Sequence, residues 1–101
     1  MKLNGKVVVI TGAGNGMGRE MTLEALRRGA AVFGVDLKAE ALAETAKLAG
    51  PGAKFASKAM DITDRTQCAA LPAEVIKALG QVDVLVNNAG IIQPWSTNTN
   101  G

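Results

Sequence analysis

Four glycines crowd into residues 11–18, Thr-Gly-Ala-Gly-Asn-Gly-Met-Gly, directly behind the β-branched run Val7-Val8-Val9-Ile10. A segment of that kind can hold an anion. Where a helix opens out of a glycine-rich turn, its first backbone N–H groups lack an intrahelical acceptor and carry roughly half a positive elementary charge. Missing side chains then let a phosphate approach the main chain closely. Gly12 permits the tight turn, Gly16 the close approach, and Gly18 the packing of helix on strand. The strict Gly-x-Gly-x-x-Gly spacing is met in neither register, because position 17 is Met and position 19 is Arg. A P-loop is excluded as well, since no Gly-Lys-Ser/Thr follows and Lys is absent between Lys6 and Lys38. In isolation these glycines fit a flexible turn with no ligand. Their place between a strand and a helix is what points to a pyrophosphate.

An acidic residue at a suitable distance extends the reading from phosphate to nucleoside. Asp36 lies 18 residues beyond Gly18, about where a carboxylate would reach the two hydroxyls of an adenosine ribose. Its charge would repel a 2′-phosphate, which favours NAD over NADP, although the nearby Lys38 softens that discrimination. A helix N-cap carboxylate is the competing role for Asp36, and the two are compatible.

What the chain lacks is equally informative. It contains no His and no Tyr, and so neither the commonest general base and metal ligand nor a phenolic acid. Its single cysteine, Cys68, can close no intramolecular disulfide and build no zinc site, which suits a reducing, cytoplasmic setting. Eleven Lys and Arg against nine Asp and Glu, without a basic run, leave a net charge of +2 and no electrostatic reason to expect nucleic acid. The aromatics are Phe33, Phe55 and Trp95, too few for a base-stacking platform. The N-terminal apolar run is far shorter than a secretory or membrane segment.

With 101 residues, 48% of them apolar, the chain can bury one core. The elements that must position the glycine turn follow from the pattern. Residues 7–10 read as a strand buried on both faces, as in parallel sheets. Over residues 17–28 the apolar positions Met17, Met21, Ala25 and Leu26 fall at helical spacing, with Arg19, Glu20, Glu24, Arg27 and Arg28 on the other side, and Gly29 stops the helix. Residues 31–35 return to strand and end at Asp36. A second helix, marked by Ala41, Leu42, Thr45 and Leu48, closes at Gly50-Pro51-Gly52. Residues 54–60 make a weaker strand, supported more by position than by alternation. Thr63 can cap a third helix with the face Cys68, Leu71, Val75, Ile76 and Leu79, stopped by Gly80. Inside it Pro72 costs about 3 kcal/mol, which predicts a kink or a start later than Thr63. Residues 82–86 read as another strand buried on both sides. The alternation of strands and helices makes a parallel sheet with right-handed crossovers. Residues 93–101, without periodicity, read as an unstructured polar tail.

Taken together, residues 11–18, Asp36, Asp61-Ile62-Thr63 and Asn87-Asn88-Ala89-Gly90 resemble the short-chain dehydrogenase/reductase family. The family's Thr-Gly-x-x-x-Gly-hydrophobic-Gly pattern matches Thr11, Gly12, Gly16, Met17 and Gly18, and its Asn-Asn-Ala-Gly matches residues 87–90 after a strand. The resemblance covers residues 1–92, the first half of the family's domain, and implies a partial, three-layer α/β fold. This is a Rossmann-like parallel sheet in strand order 3-2-1-4, with two helices on one face and one on the other. It implies that Asn15 and Met17 border the pyrophosphate through backbone groups and that Asp61 and Ile62 hold the adenine. Asn88, Ala89 and Gly90 would line the cofactor cleft, and Thr11 would tie the glycine turn to the Asn-Asn-Ala-Gly strand end. For Asp61 the competing role is helix capping near Thr63, and for Asn87 and Asn88 it is satisfying loop backbone groups.

The family's hydride chemistry uses a Tyr, a Lys four residues later and an upstream Ser, all beyond the Asn-Asn-Ala-Gly segment, and this chain has no Tyr. Ser96 and Lys58 do not replace them, because a Ser without a base is a solvated hydroxyl and a lone Lys in a strand is usually surface. Cys68 is expected to pack as a small apolar residue. Trp95 reads as a loop anchor, or as the start of a substrate pocket. The expectation is the cofactor-binding portion, truncated, of a NAD-dependent oxidoreductase acting on an alcohol or carbonyl substrate, itself inactive. A noncatalytic dinucleotide-binding or interaction module is the alternative. The fourth strand lacks a neighbour, so self-association through the exposed sheet edge is expected.

Overall fold

The computed structural model describes residues 2–88. Ala89, Gly90, Trp95, Ser96 and the tail expected over 93–101 lie outside them. Seven elements alternate in sequence: β1 (Val7–Thr11), α1 (Gly16–Arg27), β2 (Ala31–Asp36), α2 (Ala39–Ala49), β3 (Phe55–Ala59), α3 (Arg65–Leu79) and β4 (Val84–Asn87). All pairings are parallel, in the order β3-β2-β1-β4. The register sets Thr11 opposite both Val35 and Asn87, so β1, β2 and β4 end level with one another.

Alternation along the strands divides the core into two layers. Val7, Val9, Phe33 and Val35 pack with Cys68, Leu71 and Val75 of α3. Val8, Ile10 and Val32 face the other way, toward Ala25 and Met21 of α1 and Leu42 of α2. This is the expected disposition of two helices on one face and one on the other. β1, in the middle, is buried along its whole length, which is why its sequence is uninterrupted apolar.

The outer elements depart from the sequence expectation. β4 begins at Val84, not at residue 82, and is half-buried throughout instead of buried on both sides, because it lies at the edge of the sheet. Thr63 is not the cap of α3. That position belongs to Asp64, whose carboxylate accepts the Gln67 N–H at 3.1 Å. The helix starts later than Thr63, as Pro72 suggested, but still contains Pro72 in its interior. Met17, Leu48 and Ile76, assigned to apolar helix faces, are exposed. Among the described residues no helix is long and apolar enough to cross a membrane.

Candidate cofactor-binding site

The level strand ends place the glycine turn, Asp36 and the end of β4 on one rim of the sheet. Thr11, fully buried at the end of β1, donates its hydroxyl to the Asn87 side-chain carbonyl at 3.0 Å, so the turn and the Asn-Asn segment are tied as expected. Asn88 reaches the same place: its amide nitrogen would be 2.8 Å from a Cβ built on Gly18.

The three glycines differ in what their surroundings require. Gly12 and Gly16 have φ of +70° and +54°, where a side chain strains the backbone. A Cβ on Gly16 would meet nothing within 4 Å, so the space above it is open to a ligand. A Cβ on Gly18 would lie 1.9 Å from the Gly12 carbonyl oxygen, so only glycine lets α1 come this close to the turn.

Asn15 is the N-cap residue of α1, yet its side chain makes no capping hydrogen bond, and the first turn carries no acidic residue. The earliest intrahelical bond runs from Arg19 N–H to the Asn15 carbonyl. The N–H groups of Gly16, Met17 and Gly18 precede it and, with the helix dipole, form a positive end suited to an anion. Met17 is 69% exposed.

Asp36 is not the N-cap of α2; that residue is Lys38, without a side-chain cap. The Asp36 carboxylate instead accepts the Gly14 N–H at 2.8 Å and the Lys38 N–H at 3.2 Å, and so fixes its position against the glycine turn. Asp61 accepts the Thr63 hydroxyl at 2.6 Å and the Thr63 N–H at 2.9 Å, and these two bonds hold its carboxyl below the usual carboxylate range.

A cleft of about 250 Å³ brings several of these residues together: Gly12, Asp36, Asp61 and Ile62 line it with Leu37, Met60 and Thr63. Asn15, Gly16 and Met17 stand at the opening of α1, outside that lining. Sequence reasoning missed Leu37, which is 67% exposed. A large apolar side chain immediately after a strand-ending carboxylate was the available signal, since it has no core to enter. The cleft joins a carboxylate to apolar walls, a combination that suits a ribose and a base edge. Cys68 is buried and donates its thiol to the Ile62 carbonyl at 3.0 Å, supporting the cleft wall from behind. Burial first, then Asp64 and Asp61, push its pKa up. Lys58 is paired with Glu74 at 2.6 Å.

Known proteins resemble this chain in sequence and in fold. A family model described as short chain dehydrogenase matches residues 6–100. A 3-oxoacyl-acyl-carrier-protein reductase of Thermotoga maritima is 41% identical over 92 residues, covering 90% of this chain and 37% of the relative. A short-chain dehydrogenase/reductase from Burkholderia phymatum, solved in complex with NAD, superposes with a TM-score of 0.79 at 32% identity, over 84% of this chain and 31% of that one. A metagenomic short-chain oxidoreductase in complex with NADP gives 0.81 at 34% identity, over 90% and 42%. The chain thus spans between 31% and 42% of the length of these three proteins.

Proposed function

Since the chain belongs to the short-chain dehydrogenase family, we propose that it is the NAD(H)-binding portion of an oxidoreductase that acts on a small alcohol or carbonyl substrate. The turn formed by Gly12, Asn15, Gly16, Met17 and Gly18 receives the pyrophosphate on backbone N–H groups. Asp36 takes the adenosine ribose, Asp61 and Ile62 border the adenine, and Asn88, Ala89 and Gly90 border the remainder of the dinucleotide. When bound, the nicotinamide supplies the hydride acceptor or donor.

The observation that carries this reading is the free opening of α1: a residue able to cap it, Asn15, makes no cap, and the space above Gly16 is open. NAD rather than NADP is supported by the Asp36 carboxylate at the mouth of the cleft, whose charge opposes a 2′-phosphate. With no Tyr and no His, this chain binds the cofactor without turning substrate over. The single buried thiol suits a reducing cytoplasm, and the outer edge of β4 offers a route to self-association.

Titration of the purified chain with NADH and NADPH, followed by nicotinamide fluorescence and calorimetry, tests the reading. Saturable NADH binding at least about tenfold tighter than NADPH binding is expected, the worth of one charged contact. Absence of binding for both would remove the assignment. Turnover of simple alcohols by this chain would overturn its inactivity.

A further inference from the structure

Arg19 follows the last glycine of the turn and sits on α1, where the helical pattern assigned it to the solvent face. It is only half-exposed, and its guanidinium reaches across to α2 and back to the turn. One terminal nitrogen donates to the Gly14 carbonyl and, at 3.3 Å, to the Ala41 carbonyl. Nε donates to the Thr45 hydroxyl at 3.0 Å. Thr45 is fully buried and has two acceptors in reach, the Ala13 carbonyl at 2.9 Å and the Ala41 carbonyl of its own helix at 3.2 Å. A hydroxyl has one proton to give. Arg19 already serves the Ala41 oxygen, and the Ala13 contact is the shorter of the two, which favours the Thr45 proton on Ala13.

The consequence falls on two consecutive peptide planes. The plane joining Ala13 to Gly14 is held at both ends: its carbonyl by Thr45, its N–H by Asp36 at 2.8 Å. The next plane is held at its carbonyl, Gly14, by Arg19. In a planar trans peptide the N–H points opposite to the carbonyl. Drawing the Gly14 oxygen toward Arg19 and α2 therefore turns the Asn15 N–H away from α2, at the opening of α1.

We propose that Arg19, acting with and through Thr45, is a positioning residue that aims one backbone donor of the glycine turn, the Asn15 N–H, at the diphosphate of the bound dinucleotide. The proposal rests on the reading that this turn receives a diphosphate. Neither side chain touches the ligand; their effect is to fix donor directions before it arrives, which lowers the ordering cost of binding.

The test compares ADP, which engages the turn, with adenosine, which does not, on the full chain by NMR and calorimetric titration. Thr45→Val keeps shape and branching but removes the hydroxyl. It is expected to weaken ADP binding about tenfold, with adenosine binding unchanged and Thr45→Ser restoring the loss. Arg19→Lys keeps the charge but cannot serve three acceptors in one plane, and the same selective loss of ADP is expected. It carries the comparison should Thr45→Val not fold. If the unsubstituted chain binds neither ADP nor NADH, the diphosphate reading and the positioning role fall together. If it binds both, while the variants keep full ADP affinity or lose ADP and adenosine in equal proportion, the diphosphate reading stands and the positioning role is overturned.

Discussion

Asp36 is held before it can hold anything: the N–H groups of Gly14 and Lys38 fix its carboxylate between the turn and the start of α2. One side chain therefore has two effects that substitution can separate. On the proposed reading, Asp36→Ala removes a charged hydrogen-bond partner of the ribose, worth about 1.5–3 kcal/mol, and should weaken NADH binding about ten- to hundredfold in calorimetry. NADPH should lose far less, because the variant also removes a repulsion. Equal losses for the two dinucleotides would mean that Asp36 acts through the glycine turn alone. The glycines of the candidate site were legible in the sequence, since Gly12, Gly16 and Gly18 have few substitutes at such backbone angles and distances. The partners of Asp36 and the inward reach of Arg19 were not. A carboxylate can cap a helix or bond a neighbouring turn with equal ease, and a guanidinium at a polar helical position faces solvent by pattern alone. Both choices depend on how closely α1 and α2 approach the turn, which spacing within one helix does not encode.

Pro72 shows how an element can form against local preference. It sits in the middle of α3, flanked by the fully buried Leu71 and Val75 that tie the helix to the sheet, and tertiary burial outweighs the lost main-chain hydrogen bond. Pro72→Ala restores the N–H and should stabilise the fold by about 1–3 kcal/mol, read as a higher denaturant midpoint with an unchanged slope. An unchanged or lower midpoint would show that the proline ring contributes packing of its own. The docking of β4 on β1 makes a second prediction. Asp83, just before β4, accepts the Val7 N–H at 2.8 Å and the Gln81 amide at 2.6 Å. These bonds, Val7 first, with Lys6 adding its charge, hold its carboxyl below the usual range. A group whose pKa is depressed by folding stabilises the fold above its unfolded value and loses that contribution as pH falls through the folded one. Stability should therefore decline on acidification below about pH 4, and Asp83→Asn should flatten that part of the profile. An identical acid slope in the variant would remove Asp83 from the effect. The central strands were legible because burial on both faces demands uninterrupted apolar residues. The bounds of β4 and α3 were less so, because edge position and the choice between Thr63 and Asp64 as cap depend on neighbours outside the element.

At the scale of the whole molecule, the sheet has two outer edges that the sequence protects unequally. β3 carries Lys58 near its middle, paired with Glu74 of α3, and a charge on an edge strand discourages further pairing. β4 reads Val-Leu-Val-Asn, without a charge, and among the described residues nothing pairs with its outer side. Beside it, Val84 and Val86 line a groove of about 560 Å³ with the apolar Leu3, Val8, Ile10 and Met21, to which Glu20, Glu24, Arg27 and Arg28 also contribute. In the self-association proposed above, a second copy of this chain would add its own β4 there, pairing backbone groups and covering apolar surface together. The sedimentation coefficient of the purified chain should rise with concentration. Val84→Lys, which sets a charge on the β4 edge itself, should keep the chain monomeric at concentrations where the unsubstituted protein associates. Ser57→Lys, on the already protected β3, should leave the association unchanged. A single concentration-independent monomer for the unsubstituted chain would contradict an open β4, and suppression by Ser57→Lys but not by Val84→Lys would move the contact to the opposite edge.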